Sequence, residues 1–217
     1  MPLLAAGAKL SGRQRVNTSM GASPAPDPDV ELMIRVRDGD EDSFRVLLDK
    51  HRNSVVHFLY RMAQDAAVSE ELGQEVFLRV YRARGSYEPS ARFTTWIFRI
   101  TTHLALNWLR DEKKRRAQER LDQDRGYGIS GREFPDRRPS VEQRMVYGAR
   151  MQEVRDAIAL LPEKQRVAVL MHKYEEMEYS QIASVLECPE SAVKRLLFRA
   201  YETLRARLAH VATAAVR

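Results

Sequence analysis

The chain has 217 residues, of which 44% are hydrophobic and 30% charged, and its formal net charge is +6. This composition is typical of a protein that buries a core, and it excludes collagen-like and low-complexity chains. A single cysteine, Cys188, excludes an intramolecular disulfide and a cysteine-rich zinc site. The histidines show no metal-ligand spacing, and no apolar stretch near either end is long enough to span a bilayer. We therefore expect a cytoplasmic protein without a cofactor, a metal site or membrane insertion.

The charge is unevenly distributed along the chain. Residues 91–116 contain seven basic and two acidic side chains, and residues 190–210 contain five basic and two acidic ones. Acidic clusters lie elsewhere, at 38–42 and at 65–75. Two basic patches predict contact with a polyanion, and the separate acidic clusters predict a further partner.

The first half of the chain predicts a helical domain. Residues 1–28 are rich in Ala, Gly, Ser and Pro, and we expect a disordered tail there. Asp29 is predicted to cap the first helix. Apolar residues then recur at helical spacing, and this pattern predicts four helices, over Val30–Val36, Phe44–Met62, Val68–Tyr81 and Thr94–Arg116. No segment alternates with period two over the length of a strand, so 29–116 is predicted to be all-α.

Residues 117–140 have the composition of a linker, with few apolar and ten charged residues. They include a formal G-x-G-x-x-G at 126–131, but no predicted strand precedes it, so we do not interpret it as a nucleotide site. The next predicted domain, 141–210, is again helical, and 211–217 is a short tail. The predicted helices of the 141–210 domain cover 145–161, 163–174, 180–186 (capped by Ser180) and 190–210. The predicted fold class is therefore all-α, with two small helical domains joined by a flexible linker.

The last two predicted helices have the pattern of a helix-turn-helix. One face of the final helix is apolar (Val193, Leu197, Ala200 and Leu204) and is expected to pack on Ile182, Ala183 and Leu186. The opposite face carries Ser191, Lys194, Arg195, Phe198 and Arg205, with Arg199 at its edge, and it is the candidate DNA-binding face. An arginine or lysine on guanine contributes about 1–3 kcal/mol of base discrimination. The alternative is a solvated basic face on an ordinary helical hairpin.

The predicted helix that begins near Thr94 has a second distinctive face. Residues at steps of three and four place an aromatic ring, two guanidinium groups and two hydrogen-bonding side chains together: Trp96, Arg99, His103, Asn107 and Arg110. Phe93, Thr94 and Thr95 are expected in the loop that precedes this face. Aromatic stacking on an exposed base is worth roughly 1–3 kcal/mol, so this face suits opened DNA. The alternatives are a partly buried core role for Trp96 and an ordinary surface role for His103.

Several segments in one order resemble extracytoplasmic-function (ECF) sigma factors of bacterial RNA polymerase. Residues 91–111 (ARFTTWIFRITTHLALNWLRD) resemble sigma region 2.3–2.4, and residues 69–78 (SEELGQEVFL) resemble region 2.2. Residues 161–166 (LPEKQR), together with the helix-turn-helix of 179–204, resemble region 4. The resemblance covers about 29–116 and 141–208. It implies a sigma region 2 helical bundle and a sigma region 4 helix-turn-helix domain.

The resemblance also implies roles for particular residues. Glu70, Glu71, Gln74, Glu75 and Phe77 would dock the β′ clamp helices of core RNA polymerase, and region 4 would meet the β flap. The −10 promoter element would meet Phe93, Thr94, Thr95, Trp96, Arg99, His103, Asn107, Arg110, Lys113 and Lys114. The −35 element would meet Ser191, Lys194, Arg195, Phe198 and Arg199. A membrane-anchored anti-sigma factor is a further expected partner.

Two positions depart from the pattern of the family. Leu196 stands where an arginine is common, so Arg195 is expected to replace the usual base contact. His103 stands where an asparagine is often found. Both departures bear on promoter preference.

The implied mechanism is binding rather than catalysis, because no nucleophile–base pair or phosphate loop is evident in the sequence. Core polymerase would hold both domains on one promoter, so that two weak DNA contacts act together. One alternative is a stand-alone helix-turn-helix regulator, which binds duplex DNA tightly without polymerase. Another is a helical nucleotide hydrolase that uses Glu70, Glu71 and Glu75 to hold a metal.

Overall fold

The structure is a computed structural model that describes residues 27–123 and 151–213, and within these ranges it contains helices and no strand. In the second described range, residues 151–159 are helical and are called α5. A short 3-10 turn, Arg84–Ser86, follows α3. The other helices are α1 (Pro28–Arg37), α2 (Glu41–Ala63), α3 (Ala66–Arg82), α4 (Phe93–Gln123), α6 (Glu163–Tyr174), α7 (Tyr179–Leu186) and α8 (Glu190–Thr213). The predicted all-α class is confirmed, whereas the glycine motif at 126–131 lies outside the described residues.

Aspartates begin the first three helices. Asp40 accepts hydrogen bonds from Asp42 N and Ser43 N, and Asp65 accepts one from Val68 N, as N-cap residues do. The cap of α1 is Asp27, followed by Pro28, so the predicted cap at Asp29 was wrong. Proline suits the first helical position because its missing N–H has no partner there in any case. Asp29 instead lies inside the first turn and is buried.

Helices α1 to α4 pack around one apolar core. The α2 and α4 helices meet through Phe58 and Phe98, whose rings make an edge contact at a centroid distance of 5.4 Å. The α3 helix packs closely on α2 at Gly73, where a Cβ atom would lie 2.9 Å from Val56 Cγ2. Helix α4 continues to Gln123, seven residues beyond the predicted end at Arg116. Ion pairs within its polar end support this extension, as described below.

Helices α5 to α8 form a second bundle. The buried side chains of α6 and α7 include Val167, Leu170 and Ile182. Helix α7 begins at Tyr179 rather than after Ser180, and the side chain of Gln181 accepts a hydrogen bond from Glu178 N at 2.9 Å. Glu187 adopts a left-handed conformation at the end of α7, and the chain then turns into α8. This turn is the predicted helix-turn-helix connection.

The two bundles contact each other directly, α7 against α4 and α6 against the end of α2. This contact brings residues of the second bundle onto the face of α4 that the sequence analysis assigns to DNA.

Candidate nucleic-acid and polymerase surfaces

The central part of α4 separates an apolar side from a polar one. Ile97, Thr101 and Leu104 are buried and Ile100 is partly buried, so these residues form the side of α4 that faces the core. His103 and Asn107 are exposed, and Arg110 is exposed one turn later. A helix with this pattern presents donors and acceptors to solvent without disturbing the core beneath. These three predicted DNA-binding residues therefore share one accessible face.

The N-terminal turn of α4 is less accessible than its sequence suggested. The prediction of a loop at Phe93, Thr94 and Thr95 was wrong, because these residues form the first turn of α4. Phe93 is fully buried, Thr95 is 3% exposed, and Thr94 and Trp96 are partly exposed. The Trp96 ring makes an edge contact with Tyr87 at 4.9 Å and lies 6.0 Å from the ring of Phe93. Trp96 thus packs against two other aromatic side chains, those of Tyr87 and Phe93. Phe93 supports this turn from below and offers no surface to DNA in this conformation.

A buried polar cluster lies under this aromatic group. Asp29 Oδ2 is 2.9 Å from His51 Nε2, and Asp29 Oδ1 accepts a hydrogen bond from Lys50 Nζ at 2.6 Å. Asp27 Oδ2 accepts a hydrogen bond from Phe93 N at 3.1 Å and so ties α4 to the start of α1. Burial, reinforced by the negative charges of Asp27 and Asp29, raises the pKa of Tyr87 to about 12. The cluster keeps the first turn of α4 in register with α1 and α2.

Residues of the second bundle occupy part of the same face of α4. The Arg99 guanidinium donates to both the carbonyl and the hydroxyl oxygen of Ser184, each at 2.9 Å. The side-chain amide of Gln181 donates to the Thr95 hydroxyl at 3.4 Å. Two of the predicted −10 contacts, Thr95 and Arg99, therefore have partners in α7. A third, Lys113, has a partner in α6.

The polar end of α4 carries the predicted phosphate-binding lysines. Lys114 is exposed, and Lys113 forms an ion pair of 2.5 Å with Glu163 of α6. Arg115 and Arg116 bind the carboxylate of Glu112, and their hydrogen bonds lower its pKa to about 2. These arginines are engaged within their own helix, so the excess of positive charge at this end is smaller than a count of residues suggests.

Helix α8 presents the predicted −35 face to solvent. Val193, Leu197 and Ala200 are buried against α7, which confirms the predicted packing. The five candidate residues on the other side are all exposed: Ser191, Lys194, Arg195, Phe198 and Arg199. Phe198 is 68% exposed. The ring therefore offers an accessible apolar surface beside three cations.

The predicted polymerase surface lies on α3. Glu70, Glu71 and Gln74 are exposed, and Glu75 pairs with Arg79 at 2.7 Å. Phe77 is buried and lines an apolar groove between α2 and α3. The other apolar residues that line this groove are Phe44, Leu48, Val56, Leu78 and Tyr81. Leu78, which is 50% exposed, is an accessible apolar residue beside the acidic face that the sequence analysis did not select.

Sequence reasoning also missed the polar cluster of Asp27, Asp29 and His51, of which Asp29 and His51 are buried. Asp29 and His51 lie 22 positions apart, and Asp27 and Phe93 lie 66 apart, so no local pattern connects them. Among residues 27–123 and 151–213, no three His, Cys, Asp or Glu side chains are grouped as a metal site requires. No helix in these ranges is long and apolar enough to cross a membrane.

Two family descriptions match the chain and together cover more than half of it. "Sigma-70 region 2" matches residues 47–115, and "Sigma-70, region 4" matches residues 151–204. The first range includes the α3 and α4 surfaces, and the second includes the helix-turn-helix. We call the bundle of α1 to α4 region 2 and the bundle of α5 to α8 region 4.

Relatives match across both regions. The chain is 29% identical over 173 residues to the RNA polymerase sigma-H factor of Pseudomonas aeruginosa, covering 80% of this chain and 90% of the relative. It is 27% identical over 173 residues to the ECF RNA polymerase sigma-E factor of Escherichia coli K12, with the same coverage of both chains.

Two solved structures show a similar fold. CnrH, solved in complex with the cytosolic domain of CnrY, aligns with a TM-score of 0.62 at 20% identity over 85% of this chain and 99% of CnrH. RpoE of Bartonella quintana, solved with the anti-sigma factor NepR, aligns with a TM-score of 0.57 at 20% identity over 76% of this chain and 96% of RpoE. Sigma factors of this family are not enzymes; they direct RNA polymerase in transcription initiation. The two matched regions and these relatives show that the chain belongs to the sigma-70 family, as an ECF RNA polymerase sigma factor.

Proposed function

We propose that this sigma factor binds promoter DNA through two separate helical faces, while α3 docks on core polymerase. Residues 29–116 would form the polymerase and −10 unit, residues 141–210 the −35 unit, and 117–140 the connection between them. The observation that carries the proposal is the pair of exposed polar faces on α4 and α8, each on the side of the helix opposite its buried residues.

The −10 element would be captured by the surface around Trp96. His103, Asn107 and Arg110 lie along one side of α4, and Trp96 offers a partly exposed indole above the Tyr87 ring. An indole in this position can stack on an unpaired base and so favour the melted promoter. Phe93 would act through Trp96 rather than by touching DNA, since its ring is fully buried.

The −35 element would be bound in the major groove by the start of α8. Lys194, Arg195 and Arg199 supply donors for guanine edges or phosphates, and Phe198 supplies an apolar surface for a thymine methyl group. Leu196, which stands where relatives often carry an arginine, is partly buried. The neighbouring Arg195 is exposed and would supply the cation instead.

The surface of α3 would bind the β′ clamp helices of core polymerase. Its exposed carboxylates suit a basic partner, and the neighbouring groove with Leu78 offers apolar area for a packed contact. The β flap would meet region 4. The structural relatives CnrH and RpoE were solved with CnrY and with an anti-sigma factor, and an anti-sigma factor that covers region 2 and region 4 is proposed here as well.

The decisive test is run-off transcription by purified bacterial core polymerase on a pooled promoter library, with and without this chain. We expect promoter-specific transcripts that require the chain and fall about tenfold or more with Trp96→Ala, because one base loses its stacking partner. Trp108→Ala, which changes the other tryptophan of α4, is the matched control and should keep most of the transcription. Both variants are checked for folding by circular dichroism.

An exposed residue provides a test that does not depend on the packing of Trp96 against Tyr87 and Phe93. Arg110→Ala should weaken promoter binding by the holoenzyme and reduce the salt dependence of that binding by about one unit of slope. If the chain binds duplex DNA tightly by itself and core polymerase adds no transcripts, the stand-alone regulator replaces the sigma-factor interpretation of these surfaces.

A further inference from the structure

Two contacts from other parts of the bundle meet at Phe93, the first residue of α4. The main-chain N–H of Phe93 donates to Asp27 Oδ2 at 3.1 Å, and the ring of His51 in α2 lies 5.2 Å from the Phe93 ring. Trp96 follows three residues later, within the same turn, and its ring lies 6.0 Å from that of Phe93. The orientation of the proposed base-stacking indole therefore depends on how Phe93 is held.

Asp27 stabilises the beginnings of two helices at once. Its Oδ1 atom accepts a hydrogen bond from Asp29 N of α1 at 3.1 Å, while its Oδ2 atom accepts the one from Phe93 N of α4. The first N–H groups of a helix have no partner within that helix, and a negative charge is favoured at its N-terminus. A displacement of Asp27 would therefore release the first turn of α4 together with that of α1.

The position of Asp27 depends in turn on a buried pair formed two residues later. Asp29 is 3% exposed, and its Oδ2 atom lies 2.9 Å from Nε2 of His51, which is itself buried. Lys50 Nζ donates to the other oxygen of Asp29 at 2.6 Å. A buried carboxylate that loses one of its hydrogen bonds is destabilised and is drawn towards water. Without His51, the first turn of α1 would shift and carry Asp27 with it.

These supports lie outside the surface that is proposed for DNA. Asp29 and His51 are buried, Asp27 is partly buried, and the two carboxylates would repel a phosphate group. None of the three belongs to the candidate DNA-binding or polymerase-binding residues. Their effect on a promoter must therefore pass through Phe93 and Trp96.

We propose that Asp27, Asp29 and His51 are positioning residues for capture of the −10 base, because they hold Phe93, and through it Trp96, in the orientation on which an unpaired base stacks. This inference rests on the proposed role of Trp96 in −10 binding. An indole that is already ordered loses little conformational freedom when a base stacks on it. When the supports are loosened, stacking must first order the turn, so the melted promoter is less favoured.

The free, full-length chain tests the positioning of the indole. Trp108→Phe leaves Trp96 as the single tryptophan, since the sequence contains two. In this background, His51→Phe keeps a ring beside Phe93 but removes the hydrogen bond to Asp29, whereas His51→Gln supplies an amide donor near the place of Nε2. We expect acrylamide quenching of Trp96 emission to rise about twofold with His51→Phe and to return close to the native value with His51→Gln.

Two control variants separate positioning from a loss of stability. Val76→Ala removes methyl groups from a fully buried site on α3 and destabilises the core without changing the hydrogen bonds of the cluster. His57→Phe makes the same substitution at an exposed histidine of α2. Both should keep the native quenching under conditions where circular dichroism shows every variant to be folded. Quenching in His51→Phe that equals that of the native chain, or of Val76→Ala, would overturn the inference.

The holoenzyme tests the consequence for the promoter that run-off transcription selects. Permanganate oxidises unpaired thymines, so their reactivity in the −10 region measures melting. With saturating core polymerase, His51→Phe should lower this reactivity about fivefold or more, and His51→Gln should restore most of it. Binding of the holoenzyme to a duplex that carries only the −35 element should change less than about twofold, because α8 is unaltered.

Two results would count against the positioning role in the holoenzyme. Equal melting by the native chain and His51→Phe would refute it, and so would a loss of melting in Val76→Ala as large as that in His51→Phe. If the native chain itself gives no promoter-specific transcripts, the proposed function fails, and the quenching measurement still decides whether His51 orders Trp96.

Discussion

At the scale of single residues, Asp29 connects three helices. It belongs to the first turn of α1, and its carboxylate contacts both Lys50 and His51 of α2. The His51 ring in turn lies 5.2 Å from the ring of Phe93, at the start of α4. A buried carboxylate is stable only when its hydrogen bonds are made. Asp29 therefore connects α1 to α2 and, through the His51 ring, supports the turn of α4 that carries Trp96.

Replacing Asp29 should weaken this connection and so destabilise the folded chain. Asp29→Asn keeps the size of the side chain but removes the charge that Lys50 and His51 contact, so we expect the free energy of unfolding to fall by about 1–3 kcal/mol. Urea denaturation followed by circular dichroism measures the change. Asp42→Asn is the control, because Asp42 is an exposed α2 residue whose ion pair with Arg45 is in solvent, and it should change stability by at most about 0.5 kcal/mol. Equal losses in the two variants would contradict this role.

At the scale of helices, α3 owes its position to one glycine. Gly73 faces α2, where an added Cβ would lie 2.9 Å from Val56 Cγ2 and 3.9 Å from Leu59 Cδ1. The Val56 side chain is branched at Cβ and cannot easily rotate out of the way. The close approach of α2 and α3 sets the angle at which the acidic face of α3 is presented beside the apolar groove.

A larger residue at this crossing should separate the two helices. Gly73→Val adds side-chain volume between α2 and α3, and we expect a loss of about 1–3 kcal/mol in the free energy of unfolding. Thermal and urea unfolding measure it. Gly85→Val is the control, since a Cβ at Gly85 meets no atom within 4 Å. A variant at Gly73 that is as stable as the native chain would show that this crossing tolerates a side chain.

The helices and their exposed faces were predictable because each depends on local spacing. The apolar stripe of α4 and the buried side of α8 follow the helical period, and the structure confirms both. The helix caps were harder, since Asp27 and Asp29 are two positions apart and both are able to cap. The accessibility of Thr95 and Arg99 was not predictable, because it depends on Gln181 and Ser184, about 85 positions away. Contacts between the two bundles leave no periodic signal in either of them.

At the scale of the whole molecule, the contact between α2 and α6, where Arg61 lies over the ring of Tyr174, contains a titratable group. Burial raises the pKa of Glu175 to about 7, although Arg61 and the Ser54 hydroxyl act in the opposite direction. In an open form of the chain, with α6 away from α2, the carboxyl returns to water and its pKa returns to about 4.5. The closed form, in which the two helices are in contact, therefore binds more protons than the open form. Closure is favoured by acid, weakens as the pH rises from about 4.5 to about 7, and changes little above that range.

This linkage predicts that the chain opens as the pH rises, and that Glu175→Gln abolishes the effect. The radius of gyration from small-angle X-ray scattering should increase between about pH 5.5 and pH 8 for the native chain. Glu175→Gln, which stays neutral and still accepts a hydrogen bond from Ser54, should remain compact throughout. Glu176→Gln changes the exposed neighbouring acid and should keep the native response. An identical pH response in Glu175→Gln and the native chain would show that this carboxyl does not control the contact between the regions.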